Sequence, residues 1–89
     1  MTWDIKEDIR LKLLGDEMYR AILPTDFSDE FNLVRSGALD SLGMMNLIIY
    51  IEKKFQVPIE VADLVEDNFL NLNRIANWIQ KKRDLLQET

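Results

Sequence analysis

The sequence predicts an all-α fold, a small four-helix bundle of three longer helices and one short helix with a long loop between helices 1 and 2. Three observations lead there. Apolar residues recur at helical spacing in separate stretches, as in Ile5/Ile9/Leu13 and Leu72/Ile75/Ala76/Ile79. No alternating apolar–polar run survives beyond a few residues, so strands find no support. Two prolines and three glycines punctuate the 89 residues only sparsely. That length suits one domain, taken here as 1–89.

The first helix is expected from about Asp4 to Leu14. Asp4 and Glu7 have the spacing of a capping box, Ile5, Ile9 and Leu13 form a narrow apolar stripe, and Gly15 is a natural stop. A long connection follows from Asp16 to Leu39. Pro24, Thr25, Asp26, Ser28 and Asp29 read as loop, while Met18–Leu23 has room for one helical turn. Phe27, Phe31, Leu33 and Val34 give this connection apolar anchors. Asp40 is a good N-cap for a second helix over Ser41–Phe55, which Gln56, Val57 and Pro58 terminate. A short helical segment is expected over Val61–Glu66 and a bend over Asn68–Leu70. Asn71 then caps a last helix whose Lys81, Lys82 and Arg83 complement the helix dipole.

Composition narrows function. Sixteen acidic and eleven basic residues give a net charge of −5. This speaks against nucleic acid and is compatible with a basic protein partner. There is no cysteine, which excludes disulfides and thiolate chemistry, and no histidine, the commonest general base and metal ligand. A self-contained enzyme is not expected and no metal site is assigned. The longest charge-free run, Ser41–Ile51, is too short to span a bilayer, and the N-terminus lacks the apolar stretch of a secretory signal. A soluble, cytoplasmic monomer without membrane insertion is the expectation.

The second helix is too apolar for one buried face. At about 100° per residue, Met44, Leu47, Ile48, Ile51 and Phe55 form a core stripe, and Leu42, Met45 and Ile49 form another. Gly43, Asn46, Tyr50, Lys53 and Lys54 fill the remainder. Either the helix is wrapped on all sides, or the second stripe is offered to a partner. Met44 is assigned to the core and Met45 to the surface. Ser41 projects between the stripes at the first turn, where free backbone N–H groups favour an attached phosphate.

The string Ser36-Gly37-Ala38-Leu39-Asp40-Ser41-Leu42-Gly43-Met44-Met45 resembles the prosthetic-group site of acyl carrier proteins, whose hallmark is Asp-Ser-Leu. Leu47, Ile51, Glu52 and Phe55 continue it at the family's spacing. Pro58-Ile59, Asn68-Phe69-Leu70-Asn71-Leu72, Ile75 and Ile79 are similar to its later helices, so the resemblance covers about Phe31 to Lys82. It implies that Ser41 receives 4′-phosphopantetheine from coenzyme A through a phosphopantetheinyl transferase. The arm's thiol then carries an acyl or aminoacyl group as a thioester to partner ligases, synthases or transferases. The absence of cysteine agrees: a thioester carrier made from this chain must import its thiol. An unperturbed thiol has a pKa of about 8.5, so a partner enzyme must help form the thiolate.

Carriers of fatty acid synthesis usually have a more acidic second helix. Asn46, Lys53 and Lys54 stand here, with Glu52 retained and Gly43 where an acidic residue is common. The pattern is closer to freestanding carriers that serve adenylating ligases or specialised biosynthesis, such as D-alanyl and secondary-metabolite carriers. The implied partner-binding residues are Asp40, Leu42, Met45, Ile49, Glu52, Glu60 and Asp63. Glu60, Asp63, Glu66 and Asp67 read either as a solvated face or as a docking patch, with an adventitious cation as a further option. The competing function is an unmodified helical adaptor that binds a protein through the apolar face of the second helix.

Overall fold

A computed structural model describes residues 2–87, with side chains from Asp4 onward. Four α-helices occur among the described residues: α1 (Thr2–Gly15), α2 (Glu17–Arg20), α3 (Ser41–Phe55) and α4 (Leu72–Gln87). Two 3₁₀ turns, Val61–Asp63 and Glu66–Phe69, link α3 to α4. The all-α class and the three long helices are as expected from sequence. The short elements differ. The α-helical turn lies at Glu17–Arg20, because Asp16 caps it by accepting the Met18 N–H. The segment expected as one short helix is split, and Asn68 and Phe69, expected in a bend, belong to the second 3₁₀ turn.

Helix α1 starts two residues before the expected position. Asp4 is therefore not a cap but an acidic residue of the first turn, where it complements the dipole. Ile5, Ile9 and Leu13 are fully buried, and α1 packs against α4 and α2. From α4 the predicted stripe of Leu72, Ile75, Ala76 and Ile79 is buried throughout. Trp78 joins it, its ring 5.0 Å from that of Phe69. Asn71 accepts the Arg74 N–H at 2.9 Å, as its expected capping role requires. Helix α3 runs over its predicted span and ends at Gln56, whose left-handed φ of 53° turns the chain away. Leu47 and Ile51 are buried, whereas Met44, Ile48 and Phe55 pack on the core only partly. The Arg83 guanidinium lies over the Phe55 ring, 5.6 Å from its centre.

The connection between α2 and α3 lies down on the helices. Leu23, Phe27 and Leu33 are buried, and Phe31 packs against this core. Two cations of α1 hold the connection: Lys6 reaches Asp29 at 3.2 Å, and Arg10 donates to the Phe27 carbonyl and to Asp29. The backbone adds Leu33 N–H to Leu70 carbonyl at 2.8 Å and Asn73 N–H to Asp29 carbonyl at 3.3 Å. A long irregular segment is thus tied at several separated points, which is what such a segment needs to stay ordered. No helix among the described residues is long and apolar enough to cross a membrane.

Candidate functional site

The site begins in the backbone before α3. The Ser36 hydroxyl donates to the Leu33 carbonyl at 3.0 Å and accepts the Ala38 N–H at 3.2 Å. Gly37 adopts a φ of +88°, a conformation that costs side-chain-bearing residues energy. The Leu39 N–H then returns to the Leu33 carbonyl at 3.0 Å. This closed loop delivers an extended Asp40, whose carboxylate accepts the Gly43 N–H at 2.7 Å while its carbonyl accepts the Met44 N–H at 2.8 Å. Ser41, the first residue of α3, is exposed. Asp40 uses the N–H groups of Gly43 and Met44, so those of Ser41 and Leu42 are the turn's remaining donors.

Gly43 belongs to the core side of α3, not to the polar remainder expected from sequence. A methyl group on its Cα would lie 2.7 Å from the Ala38 carbonyl oxygen and 3.1 Å from the Tyr19 ring. The buried Tyr19 hydroxyl donates to the Gly43 carbonyl at 2.6 Å. Asn46, also expected on the polar remainder, donates to the Tyr19 hydroxyl at 3.2 Å and to the Asp16 carboxylate at 3.3 Å. Burial pushes the Tyr19 phenol pKa up. The Met18 N–H, followed by Lys12, holds the Asp16 carboxyl below its usual range. Tyr50, the third member of that remainder, donates to Asp8 of α1; burial and then this bond push its pKa up to about 12.

Leu42, Met45 and Ile49 are 65%, 61% and 48% exposed, so α3 is not wrapped on all sides. Met45 is on the surface as assigned, and Met44 is half-buried. Glu52 is exposed further along α3. Beside Ser41 a cavity of about 320 Å³ opens, walled by Val34, Leu39, Met44, Leu64, Val65 and Phe69, with Asp40 and Glu66 also on its lining.

Glu60 and Asp63 are placed differently from the stripe. Each pairs with Lys82 of α4, at 3.2 and 2.8 Å, and Asp63 also accepts the Glu60 N–H. Burial raises the Asp63 pKa, but the bonds from Lys82 and from the Glu60 N–H outweigh it and hold the carboxyl below its usual range. Its bond with Asp63 is the main cause that raises the Lys82 pKa. The acidic segment forms no metal-binding group: no set of three or more candidate ligands converges among the described residues.

The arrangement presents one exposed hydroxyl at a capped helix start, an apolar stripe on the same helix and a small cavity alongside. An exposed hydroxyl beside free backbone N–H groups can take a phosphate-linked group. Sequence reasoning missed Tyr19, although Asp16 before an apolar run already signals a helix start there. It also missed the cavity, whose walls come from segments far apart in sequence.

Residues 11–79 match the family model described as the phosphopantetheine attachment site. The D-alanyl carrier protein of Streptococcus mutans is 32% identical over 91% of this chain and 98% of its own length. Those of Streptococcus sanguinis and Streptococcus gordonii are each 27% identical, over 86% and 91% of this chain and 98% of their own lengths.

Proposed function

The chain belongs to the phosphopantetheine-bearing acyl carrier protein family, and from that membership we propose that Ser41 is the residue that carries the covalent 4′-phosphopantetheine. The observation that carries this reading is the exposed Ser41 at the Asp40-capped start of α3, next to an apolar cavity. The site fits the group: the hydroxyl is accessible, the first turn retains donors for a phosphate, and the cavity offers an apolar lining to the arm. In the transfer the Ser41 oxygen forms the new bond to phosphorus of coenzyme A, adenosine 3′,5′-bisphosphate departs, and the hydroxyl proton passes to the transferase or to solvent. Once bound, the group supplies the thiol that a chain without cysteine lacks.

The protein then acts as a cosubstrate of partner enzymes and not as a catalyst. Its partners are a phosphopantetheinyl transferase and the ligases, synthases or transferases that load and unload it, in the cytoplasm where coenzyme A is available. Leu42, Met45 and Ile49 form the face they grip, and Glu52 steers the encounter. Asp40 holds the turn through Gly43 and, being exposed with a second carboxylate oxygen, is open to partners as well. The likeness to D-alanyl carrier proteins supports a small aminoacyl cargo, D-alanine first among candidates, over a longer acyl group.

Incubation with coenzyme A and a broad-specificity transferase, followed by intact mass, tests the assignment. The wild-type protein gains one phosphopantetheine and Ser41→Ala gains none at unchanged helicity. A Ser41→Ala protein that still takes the group overturns the site. A wild-type protein that gains no mass returns the chain to the unmodified adaptor.

A further inference from the structure

The turn that presents Ser41 has little side-chain anchorage of its own. Ser41 and Leu42 are exposed, Met44 is half-buried, and the one buried member, Gly43, has no side chain. What ties this turn to the rest of the protein is contact with the Gly43 backbone on three sides. Asp40 takes its N–H at 2.7 Å, the Tyr19 hydroxyl bonds its carbonyl at 2.6 Å, and the Ala38 carbonyl and Tyr19 ring occupy the space a Cβ would need. A helical carbonyl has a second lone pair free for such a bond, so α3 does not need Tyr19 to complete its ladder. The hydroxyl therefore links two elements and does not merely satisfy a buried acceptor. It is itself oriented by Asn46, which bonds Asp16, the cap of α2. A chain of hydrogen bonds thus joins the start of α2 to the first turn of α3.

We propose that Tyr19 is a positioning residue for group transfer to Ser41, acting through the Gly43 carbonyl to hold the first turn of α3 in one orientation. The inference rests on Ser41 being the modified residue. Attack on phosphorus requires a defined line of approach, and small misplacements of a nucleophile are costly. Without the Tyr19 hydroxyl, the turn keeps its Asp40 cap and the ring contact but loses its hydrogen bond to α2. The exposed stripe at Met45 and Ile49 lies further along α3 and stays in place. The defect then falls on turnover more than on association.

Tyr19→Phe keeps the ring and removes only the hydroxyl. With coenzyme A and transferase, it should lower kcat by at least about fivefold, the scale of one lost hydrogen bond, with KM for the carrier changed less than about twofold. On the unmodified protein, amide hydrogen exchange at Gly43 and Met44 should accelerate selectively. Ile79→Val, a truncation in the buried face of α4, is the control for general destabilisation and should leave kcat unchanged. Wild-type kcat in Tyr19→Phe, or an equal loss in Ile79→Val, overturns the proposal. Unchanged exchange at Gly43 and Met44 also overturns it, even if wild-type protein gains no mass at Ser41. In that last case the attachment reading fails on its own measurement.

Discussion

Replacing Gly43 by alanine should destabilise this protein, against the usual rule for helices. In an open helix the exchange stabilises by about 1 kcal/mol, because alanine is the best helix former and glycine among the worst. Here the added methyl would stand 2.7 Å from the Ala38 carbonyl oxygen, well inside contact distance, and 3.2 Å from an Asp40 carboxylate oxygen. Ala38 cannot retreat easily: it is buried, its N–H is held by Ser36 and the next residue by Leu33. The first turn of α3 must move instead, which stretches the Asp40 cap and the Tyr19 bond. Overpacking costs roughly 1–3 kcal/mol and a weakened cap about 1 kcal/mol. Set against the propensity gain, the net loss is about 1–3 kcal/mol. For a domain of this size each kcal/mol moves Tm by roughly 4–8 °C, so Gly43→Ala should melt about 4–24 °C lower. Thermal unfolding followed by circular dichroism measures it. A Tm equal to or above that of the wild type would refute the reasoning, since propensity would then have outweighed the contact.

Polar replacements at Met45 or Ile49 should leave stability within about 0.5 kcal/mol yet slow loading by the cognate ligase more than about fivefold, as read by denaturant midpoints and loading kinetics. Glu52→Gln should reduce the association rate at low salt and have no effect at high salt, which stopped-flow or steady-state loading at two ionic strengths checks. Ile51→Ala should cost about 2–5 kcal/mol and Phe55→Ala less, because Phe55 is only half-buried; urea unfolding of both variants orders them. For Asp63 the folded pKa lies below the unfolded value of 3.8, so its contribution is present above that pH and lost as the pH falls through the folded value. Asp63→Asn should therefore flatten the loss of stability on acidification below about pH 4, measured as denaturant midpoints against pH. Lys82 is the converse: its raised pKa gives a contribution complete below 10.5 and lost as the pH rises through the folded value.

Periodicity and capping chemistry made the long helices legible, because both are local. Ile5, Ile9 and Leu13, and later Leu72, Ile75, Ala76 and Ile79, declare their buried faces by spacing alone. The boundaries of α3 were equally plain, since Asp40 and Gln56-Val57-Pro58 act within a turn of the helix they bound. The 3₁₀ division of the 61–69 segment was not legible. It depends on the reciprocal bonds of Glu60 and Asp63 and on Phe69 packing against Trp78. At the candidate site, Asp-Ser-Leu and the two apolar stripes could be read directly. Tyr19 could not, because its meaning lies in a contact with Gly43 across 24 positions of sequence. Glycine itself misleads here. In sequence it looks like a weak point of the helix, whereas in the structure the missing side chain is what admits Ala38 and Tyr19.

The three sides of α3 explain why these devices occur together. One side, around Leu47 and Ile51, is buried; a second, from Leu42 to Ile49, is left bare. A helix that keeps an apolar stripe exposed loses the burial which would otherwise fix its position, roughly 25 cal/mol for each Å² left in water. Its orientation must then come from the third side. There the groups are polar and directional: Asn46 on Asp16 and Tyr19, Tyr50 on Asp8, and Lys54 with Asp8 at 3.6 Å. Hydrogen bonds specify rotation about the helix axis more sharply than apolar contact does, because they weaken steeply with angle. On the proposed reading, in which Ser41 and the bare stripe are met by one partner surface, that sharpness keeps the two facing outward together. The polar third side of α3, which in sequence only fills the space between the two stripes, holds the helix's rotation while the stripe stays exposed.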